Sequence, residues 1–407
     1  MPDAWLDRVL MSQIQRLVGS TPVQLAWGEP PASVTAQPSP TPTIWIKDRK
    51  TLLALLRNPH VNFGDLYSSG AVEIAGDLVR LIETIYRIPE SGVGRLSSQW
   101  TAWLQGNSLR SSRRNIRHHY DISNDFYRLW LDPQMIYTCA YFPKEDSSLA
   151  QAQNAKLDLV CRKLWLKPGE SVVEAGCGWG ALALHMAAHY GVKVRAFNIS
   201  SEQIAFARER ARREGLSSEV EFIEDDYRNI HGRYDAFASI GMLEHVGMKN
   251  HAELARVIGR TIGDHGRALL HFIGRNRPRK LNTWIRRRIF PGAYPPTLRE
   301  VTAMLEPHDF SVLDVENLRT HYARTLEWWL SAFEENFDKV AAMFDRSFAR
   351  MWRLYLAGST AAFRCGSLQL FQVVFAGCKC KSMPATRAHL YQTADDSQEQ
   401  SCVPAMS

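Results

Sequence analysis

Residues 171–182 read Ser171-Val-Val-Glu-Ala-Gly-Cys-Gly-Trp-Gly180-Ala-Leu182. An apolar run ending in an acid leads into Gly176, Gly178 and Gly180, and an Ala/Leu-rich segment follows. This order predicts a buried strand, a tight turn where a ligand can lie against bare backbone, and a helix N-terminus. The spacing lacks the extra residue of the dinucleotide fingerprint, which places a pyrophosphate on the helix dipole. We therefore expect a nucleoside with a small zwitterionic arm, and S-adenosylmethionine is the candidate.

From residue 150 onward, predicted helices and strands alternate. The seven predicted strands span residues 171–175, 193–197, 220–224, 234–240, 267–273, 311–315 and 369–375. Strands separated by helices predict an α/β, Rossmann-like fold with a mostly parallel seven-stranded sheet. Ligands of such sheets bind at the carboxyl ends of the strands. An aromatic helical stretch at 325–364 precedes the last strand, and its spacing is typical of a core as well as of an acyl pocket.

The rest of the chain predicts two further parts. Residues 1–105 are expected to form a small α+β domain, with a Pro-rich connection between Trp27 and Trp45. The basic linker 110–117 leads into the larger domain, which we place at 106–380. Residues 381–407 are polar and predict a disordered tail.

Composition excludes several classes of protein. The chain has 407 residues, 45% apolar and 22% charged, which is ordinary for a globular protein. No apolar stretch is long enough to span a bilayer, and the N-terminus lacks the layout of a signal peptide, so a cytoplasmic location is expected. The seven cysteines are scattered and include no Cys-x-x-Cys pair. We therefore predict neither a disulfide framework nor a metal site.

A basic segment at 265–299 contains nine Lys/Arg and no acid. Within it, Arg286-Arg-Arg288 lies beside Trp284 and Ile285, with Ile289 and Phe290 just beyond. Basic residues interleaved with aromatics suit an anionic membrane surface, where charge attracts and the rings sit at the interface. Nucleic-acid phosphates would bind the same positive charge. A solvated loop without a partner is equally compatible with this segment alone.

Polar side chains follow the first three predicted strands at the point where each ends. They are Glu174 after the first, Asn198, Ser200 and Gln203 after the second, and Asp226 and Tyr227 after the third. We expect the second group to meet the ribose or methionyl arm of the ligand, and the third to hold its adenine. Three clusters at successive strand ends are hard to attribute to chance.

Two candidates for reaction chemistry end the next two strands. Glu244 and His271 would converge on one small polar site at neighbouring strand ends. Each alone is more often structural, whereas the pair at matching positions favours function. Residues 135–142, Met-Ile-Tyr-Thr-Cys-Ala-Tyr-Phe, form an aromatic segment suited to cover the cofactor, with Tyr137 and Thr138 facing it. Cys139 could be a nucleophile, but no motif activates it and a buried, inert thiol is the expected state.

Taken together, these motifs resemble the cyclopropane-fatty-acyl-phospholipid synthase family, which includes mycolic-acid cyclopropane synthases and related methyltransferases. The matching pieces lie at 119–127, 137–141, 173–180, 241–247, 269–274, 284–291, 321–328 and 369–375. They occur in order over about 115–378. The segment 63–70, Phe-Gly-Asp-Leu-Tyr-Ser-Ser-Gly, resembles more weakly the small lipid-binding domain of the branch that acts on phospholipids.

The resemblance implies a class I methyltransferase fold and methylene transfer from S-adenosylmethionine to a cis double bond of a membrane phospholipid. It also implies a bound bicarbonate as proton acceptor. The ligands of this anion would be Glu244, His271, Tyr322 and the backbones of Cys139 and Ile273. From the residues alone, Glu244 or His271 acting directly as the base stays open. A homodimer that associates with the inner face of the plasma membrane is implied as well, and no nucleic-acid partner is expected.

Two other functions remain compatible with the sequence. One is a methyltransferase of the same family that makes mid-chain methyl branches or N-methylates a small amine. The other is a non-catalytic lipid-binding protein, which the intact glycines and strand-end acids disfavour. The chain departs from the family pattern at Glu174, where aspartate is usual, and at Thr138, where serine is common; both changes are conservative.

Overall fold

The computed structural model describes residues 12, 22–30, 41–87 and 123–391. The N-terminal elements are β1 (Gln24–Trp27), β2 (Thr43–Ile46), α1 (Arg49–Arg57), α2 (Pro59–Ser68), β3 (Val72–Ala75) and α3 (Leu78–Tyr86). β2 is the central strand, parallel to β1 and antiparallel to β3. This arrangement confirms the small α+β part. The predicted domain boundary at 105, the basic linker and residues 31–40 of the Pro-rich connection lie outside the described residues.

The larger part alternates helices and strands. Its elements are α4 (Asn124–Arg128), α5 (Leu149–Lys163), β4 (Ser171–Ala175), α6 (Ala181–Tyr190), β5 (Lys193–Asn198), α7 (Ser201–Arg213), β6 (Val220–Glu224), β7 (Ala236–Ile240), α8 (Leu243–Val246), α9 (His251–Ile262), β8 (Arg267–Gly274), α10 (Thr283–Arg288), α11 (Leu298–Leu305), β9 (Ser311–Asn317), α12 (Arg319–Glu335), α13 (Phe337–Met343), α14 (Arg346–Arg364), β10 (Gln369–Ala376) and α15 (Ala388–Tyr391). Single 3-10 turns lie at Tyr227–Asn229, Met248–Asn250 and Glu306–His308.

Seven of these strands form one sheet in the order β6-β5-β4-β7-β8-β10-β9. β10 runs antiparallel to both of its neighbours, and the other pairs are parallel. The mostly parallel seven-stranded sheet is thus confirmed, with strand bounds within two residues of the predicted ones. The central strands β7 and β8 are almost wholly buried because helices cover both faces of the sheet. The carboxyl ends of β4, β5, β7 and β8 consequently meet at one edge.

The aromatic stretch at 325–364 is helical, as predicted, and is divided among α12, α13 and α14. Large side chains at helical spacing point inward, and Trp329, Phe333 and Trp352 are completely or almost completely buried. Phe126 of α4 lies edge-on to Trp352, with ring centroids 4.9 Å apart. These rings therefore belong to the hydrophobic core, and lining of an acyl pocket by this stretch stays a prediction.

The two parts of the described chain share one hydrophobic core. Buried residues of β2, α1 and α3 belong to the same cluster as the large rings of α12 and α14. Arg350 of α14 reinforces this contact, since its Nε donates to the Tyr67 carbonyl at 2.6 Å and its guanidinium lies 4.3 Å from the centre of the Tyr67 ring. Its Nη1 also lies 3.0 Å from Glu73 Oε1. The N-terminal part therefore depends on the larger domain for much of its burial.

The basic segment is arranged differently from the prediction. Trp284 is only 5% exposed and packs on Gly64, where an added Cβ would lie 2.3 Å from the indole ring. Its Nε1 donates to Asp65 Oδ1 at 3.0 Å, and Arg288 donates to both oxygens of the same carboxylate. Ile289 is buried as well. The expectation that these apolar residues face a membrane is wrong for Trp284, which α2 covers, and for Ile289, which is buried.

Residues 381–391, expected to belong to a disordered tail, follow a defined course. The helical turn α15 buries Leu390, and Arg387 forms an ion pair with Asp314 of β9. Residues 392–407 lie outside the described part of the chain.

Candidate functional site

The glycine loop after β4 forms a cradle with one open side. All three glycines have positive φ, between +54° and +85°, a region that L side chains rarely adopt. A Cβ at Gly176 would lie 3.1 Å from Met242 Cβ, and one at Gly180 would lie 2.6 Å from the Phe222 ring. A Cβ at Gly178 would meet nothing within 4 Å. Side chains thus pack against the loop at Gly176 and Gly180, whereas the space beside Gly178 is open. This opening fits a nucleoside that lies against the bare backbone.

The end of β5 is tied to this loop. Asn198 Nδ2 donates to the Gly178 carbonyl at 3.3 Å and to Gln203 Oε1 at 2.6 Å. Ser200 caps α7, because its Oγ accepts from the Gln203 amide. The side chain of Gln203 is buried, and its Nε2 has no hydrogen-bond partner among the described residues. A buried orphan donor beside the open glycine cradle fits the carboxylate or ribose of S-adenosylmethionine.

Glu174 lies deeper than the sequence predicts. It is 2% exposed, its Oε2 has no partner in the described part of the chain, and burial raises its pKa to about 8. The ammonium of Lys156, on α5, and the Ala183 amide at the start of α6 act in the opposite direction. Burial in turn lowers the pKa of Lys156 to about 8. The strand-end acid is therefore a buried carboxyl whose protonated form is favoured near neutral pH.

Arg228 occupies part of the predicted adenine site that follows β6. Asp226 Oδ1 accepts from Arg228 Nε at 2.7 Å, and Oδ2 accepts from Arg228 Nη2 at 2.9 Å. The same guanidinium lies 5.3 Å from the centre of the Tyr227 ring. Asp226 and Tyr227 are both buried, as a site for adenine requires. An adenine there would have to share this carboxylate and ring with Arg228.

The cover segment, residues 135–142, is held on both sides. On the α5 side, Gln153 Nε2 donates to the Thr138 carbonyl and Lys156 Nζ donates to Thr138 Oγ1, both at 2.8 Å. On the α12 side, Thr325 Oγ1 accepts from the Ala140 amide and His321 Nδ1 accepts from the Phe142 amide, both at 3.0 Å. Two helices therefore fix this short segment over the strand ends.

The cover segment also contacts the strand ends directly. A Cβ at Gly241, the first residue after β7, would lie 3.0 Å from Thr138 Cγ2. The hydroxyls of Tyr137 and Tyr355 are 2.6 Å apart, and the Tyr137 ring lies 5.2 Å from that of Trp130 and 5.3 Å from that of Trp329. Thr138 is thus placed beside the end of β7, and Tyr137 is placed inside an aromatic wall.

Glu244 lies at the start of α8, directly after β7, and is 5% exposed. Its Oε1 accepts from the Ile273 amide at 3.4 Å, and its Oε2 has no partner among the described residues. Burial raises the pKa of this carboxyl to about 7. A group that gains or loses a proton near neutral pH suits acid–base chemistry or a place beside an anion.

His271, on the adjacent strand, is 1% exposed. Its Nδ1 lies 3.0 Å from Gln372 Nε2, and its Nε2 has no partner in the described part of the chain. Burial, followed by the nearby ammoniums of Lys156 and Lys163, holds its pKa well below the usual range for histidine. The ring therefore stays neutral.

A chain of contacts connects these groups to the other predicted site residues. Ile273 of β8 pairs with Leu370 of β10, whose carbonyl accepts from the Leu318 amide at 2.8 Å. The Leu318 carbonyl in turn accepts from the Tyr322 amide at 3.0 Å and lies 3.9 Å from Cys139 Sγ. These contacts thus link the chain segments that carry the five residues assigned to the reaction.

The Cys139 thiol is not prepared for nucleophilic attack. It is completely buried, it donates to its neighbour's carbonyl at 3.1 Å, and burial raises its pKa far above the usual range. The inert-thiol interpretation is therefore favoured, and only the Cys139 backbone remains a candidate ligand.

Sequence reasoning missed two residues at this site. Lys156 lies on the inward face of α5, at helical spacing from Ala152 and Val160, and a lysine at a core position was the available signal. Gln372 interrupts an otherwise apolar buried strand, and that polar residue in β10 was the second signal. Across residues 22–30, 41–87 and 123–391 there is no group of three or more His, Cys, Asp or Glu arranged to hold a metal ion. No helix of the described chain is both long and apolar enough to cross a bilayer.

Comparison with known proteins identifies the family of the chain. The model of the mycolic acid cyclopropane synthetase family matches residues 107–373. A cyclopropane-fatty-acyl-phospholipid synthase of Escherichia coli is 39% identical over 71% of this chain and 72% of its own length. A tuberculostearic acid methyltransferase of Mycobacterium tuberculosis is 31% identical, covering 88% of each chain.

Solved structures lead to the same family. A mycolic acid cyclopropane synthase crystallised with SAH and CTAB superposes with a TM-score of 0.62 at 30% identity, covering 65% of this chain and 97% of that one. SAH is the demethylated product of the expected cofactor, so the likeness supports S-adenosylmethionine as the cofactor. The chain is therefore a member of the mycolic acid cyclopropane synthetase family and an S-adenosylmethionine-dependent methyltransferase.

Proposed function

We propose that this methyltransferase acts on the cis double bond of an unsaturated phospholipid acyl chain and builds a cyclopropane ring there. One observation carries the proposal: Glu244 Oε2 and His271 Nε2 are buried polar atoms without partners, at the ends of adjacent strands. Such atoms are costly unless a ligand satisfies them. Unpartnered polar atoms, together with an aromatic wall and a glycine cradle, suit this chemistry.

The reaction makes two demands on the protein. S-adenosylmethionine supplies an electrophilic methyl; the alkene's electron pair forms the new C–C bond, and S-adenosylhomocysteine leaves. The acyl chain then carries a carbocation, which closes to a ring when one proton of the new methyl passes to a base. Water would quench the cation, so the pocket has to be dry, and a base has to lie close to the new methyl.

The aromatic wall meets the first demand. The rings of Tyr127, Trp130 and Trp329 lie within 5.2–5.5 Å of the Tyr137 ring, measured between centroids. All three of these rings are buried. Aromatic faces stabilise a passing positive charge and offer it no nucleophile.

A bound bicarbonate would meet the second demand, with Glu244, His271, Tyr322 and the backbones of Cys139 and Ile273 as its ligands. The anion can lie beside Glu244 only if a proton lies between them, and the raised pKa of Glu244, about 7, makes its protonated form accessible near neutral pH. Glu244 as the direct base is the alternative, and dependence of the rate on added bicarbonate distinguishes the two.

The test uses purified protein, S-adenosylmethionine labelled with a trideuterated methyl, and vesicles of unsaturated phospholipid. The expected product is a lipid heavier by one methylene that retains two deuterons, because ring closure removes one. Glu244→Gln should abolish the product while S-adenosylmethionine binding persists in calorimetry. Glu306→Gln, at an exposed position, is the matched control. Absence of any methyl-derived lipid with the cofactor bound would refute the proposal.

Methyl branching is the second candidate, and the relative named as a tuberculostearic acid methyltransferase favours it. Both reactions share the methyl transfer and the cation, so the same site could serve either. A branched product formed by loss of a chain proton would keep all three deuterons and a carbon–carbon double bond, whereas the ring keeps two deuterons and no double bond. Conversion of that alkene to a saturated branch would need a separate hydride donor. N-methylation has less support, since the coclaurine N-methyltransferase structure, at 22% identity, shares only the fold.

Peripheral association with the cytoplasmic face of an anionic membrane is also proposed, with residues 1–105 contributing to lipid binding. The exposed arginines at 277, 279 and 287 support it, whereas Arg288 is engaged by Asp65. Arg287→Glu should weaken binding to anionic vesicles at low salt, and unchanged binding would contradict the idea. The homodimer expected from the family resemblance remains a prediction that sedimentation would test.

A further inference from the structure

The strongest unexplained contact at the site joins two buried side chains of neighbouring strands. His271 of β8 and Gln372 of β10 lie directly opposite each other in the antiparallel register. His271 Nδ1 and Gln372 Nε2 are 3.0 Å apart, and the two residues are 1% and 0% exposed. No role follows for Gln372 from the reaction described above.

The chemistry of the two groups decides what this contact does. The amide nitrogen of glutamine only donates hydrogen bonds, so the imidazole nitrogen that it meets has to accept. A neutral imidazole carries one proton, and accepting at Nδ1 places that proton on Nε2. Burial and the ammoniums of Lys156 and Lys163 keep the ring neutral, so a second proton on Nδ1 is disfavoured.

We propose that Gln372 is a positioning residue that fixes His271 as the Nε2–H tautomer and thereby aims one hydrogen-bond donor into the pocket beside Glu244. The receiving atom, an oxygen of the proton-accepting anion, rests on the proposed function; the tautomer itself does not. The Nε2 atom is buried and has no partner among the described residues, as a donor reserved for a ligand should be.

This assignment also separates the two ways in which His271 could act. With Nδ1 occupied by the Gln372 amide and Nε2 protonated, neither nitrogen offers a lone pair to the new methyl. His271 then binds and orients the base but does not itself take the proton. That task falls to the anion or to Glu244.

Nitrogen-15 NMR of the full chain tests the tautomer directly. The protein contains 13 histidines, so the His271 signals are identified as those absent from His271→Gln. Two-bond proton–nitrogen correlations distinguish a protonated ring nitrogen from an unprotonated one. The expected pattern is a protonated Nε2 and an unprotonated Nδ1 that persist from pH 6 to 8. A protonated Nδ1 in the wild-type protein, as the opposite orientation of the Gln372 amide would require, overturns the proposal whatever the variants do.

Variants add a functional readout. Gln372→Leu removes the donor and should lower kcat by about 10- to 100-fold, with little change in the KM for S-adenosylmethionine. Gln372→Glu places a carboxylate at Nδ1 and should move the proton there in the NMR spectrum. Gln369→Leu, a buried glutamine of the same strand that bonds Asn317 and the Gly366 carbonyl, controls for lost stability. Equal loss of kcat in Gln372→Leu and Gln369→Leu would refute a specific role for Gln372.

Bicarbonate titration keeps the two proposals distinguishable. A shift of the Nε2–H resonance on addition of bicarbonate supports both the anion and the tautomer. An Nε2–H tautomer that ignores bicarbonate supports the role of Gln372 and counts against the anion in the proposed function.

Discussion

Replacing Lys156 with methionine should separate stability from cofactor binding. The lysine is completely buried, and its Nζ donates to Thr138 Oγ1 at 2.8 Å. Burial lowers its pKa from 10.5 to about 8, which corresponds to a cost of about 3 kcal/mol for holding the charge inside the protein. Methionine has a similar length and no charge, so Lys156→Met should leave the free energy of unfolding unchanged or raise it.

The affinity of Lys156→Met for S-adenosylmethionine should fall. A hydrogen bond from a charged donor is worth about 1.5–3 kcal/mol, and every 1.4 kcal/mol is about tenfold in affinity. If Thr138 has to be held for the cover segment to close on S-adenosylmethionine, the affinity should fall by up to about 100-fold. Isothermal titration calorimetry with S-adenosylmethionine measures the affinity, and thermal unfolding of the same samples measures stability.

The pH dependence supplies an independent check. Between about pH 8 and 10.5 the native protein has released a proton from Lys156 that the unfolded chain still holds. The unfolding free energy of the wild type should therefore rise across this window relative to Lys156→Met.

Lys163→Met is the matched control, because Lys163 is a second buried lysine on α5 that pairs with Asp314 and Glu316. Removing Lys163 leaves Glu316 without this partner, whereas Asp314 keeps Arg387, so this variant should lose about 1–3 kcal/mol of unfolding free energy and keep its affinity for the cofactor. Wild-type affinity in Lys156→Met, or a loss of stability like that of Lys163→Met, would refute the reasoning.

Two further predictions concern charge and packing. Because the pKa of Glu244 is raised to about 7, between about pH 4.5 and 7 the native state keeps a proton that the unfolded state has released. Urea unfolding at successive pH values should therefore show the wild type losing about 3 kcal/mol of unfolding free energy across this window relative to Glu244→Gln. Parallel pH curves for the two proteins would contradict the raised pKa. Asp65→Ala removes the acceptor of Trp284 and Arg288 and should cost about 2–3 kcal/mol in urea unfolding. Asp125→Ala, which breaks an exposed ion pair, should cost under about 1 kcal/mol, and an equal effect of the two would show that the Asp65 contact contributes little.

Local sequence patterns predicted much of the fold and several residues of the candidate site. The alternation of apolar strands and helices located all seven strands of the sheet, because burial on both faces leaves a continuous apolar run in the sequence. Glycines at every second position predicted the cradle after β4, and polar residues at successive strand ends predicted Asn198, Glu244 and His271. These features depend on neighbours in sequence or on the general rule that parallel strands end at one edge.

Other features depended on contacts between distant segments. Trp284 carries the same local pattern whether it faces a membrane or packs on Gly64, and only the placement of α2 decides between them. Gln372 meets His271 across 101 residues of chain, through the register of β10 on β8.

The sequence by itself determined the sheet, the glycine turn after β4 and the identity of the polar residues at the strand ends, since periodicity and glycine spacing are local properties of the sequence. Only the tertiary structure decided the charge states and proton positions at the site. Burial raises the pKa of Glu244 and lowers that of Lys156, and the neighbour across the sheet selects the nitrogen of His271 that carries the proton. Desolvation and hydrogen bonding depend on what surrounds a side chain in space, and that is settled when the chain folds.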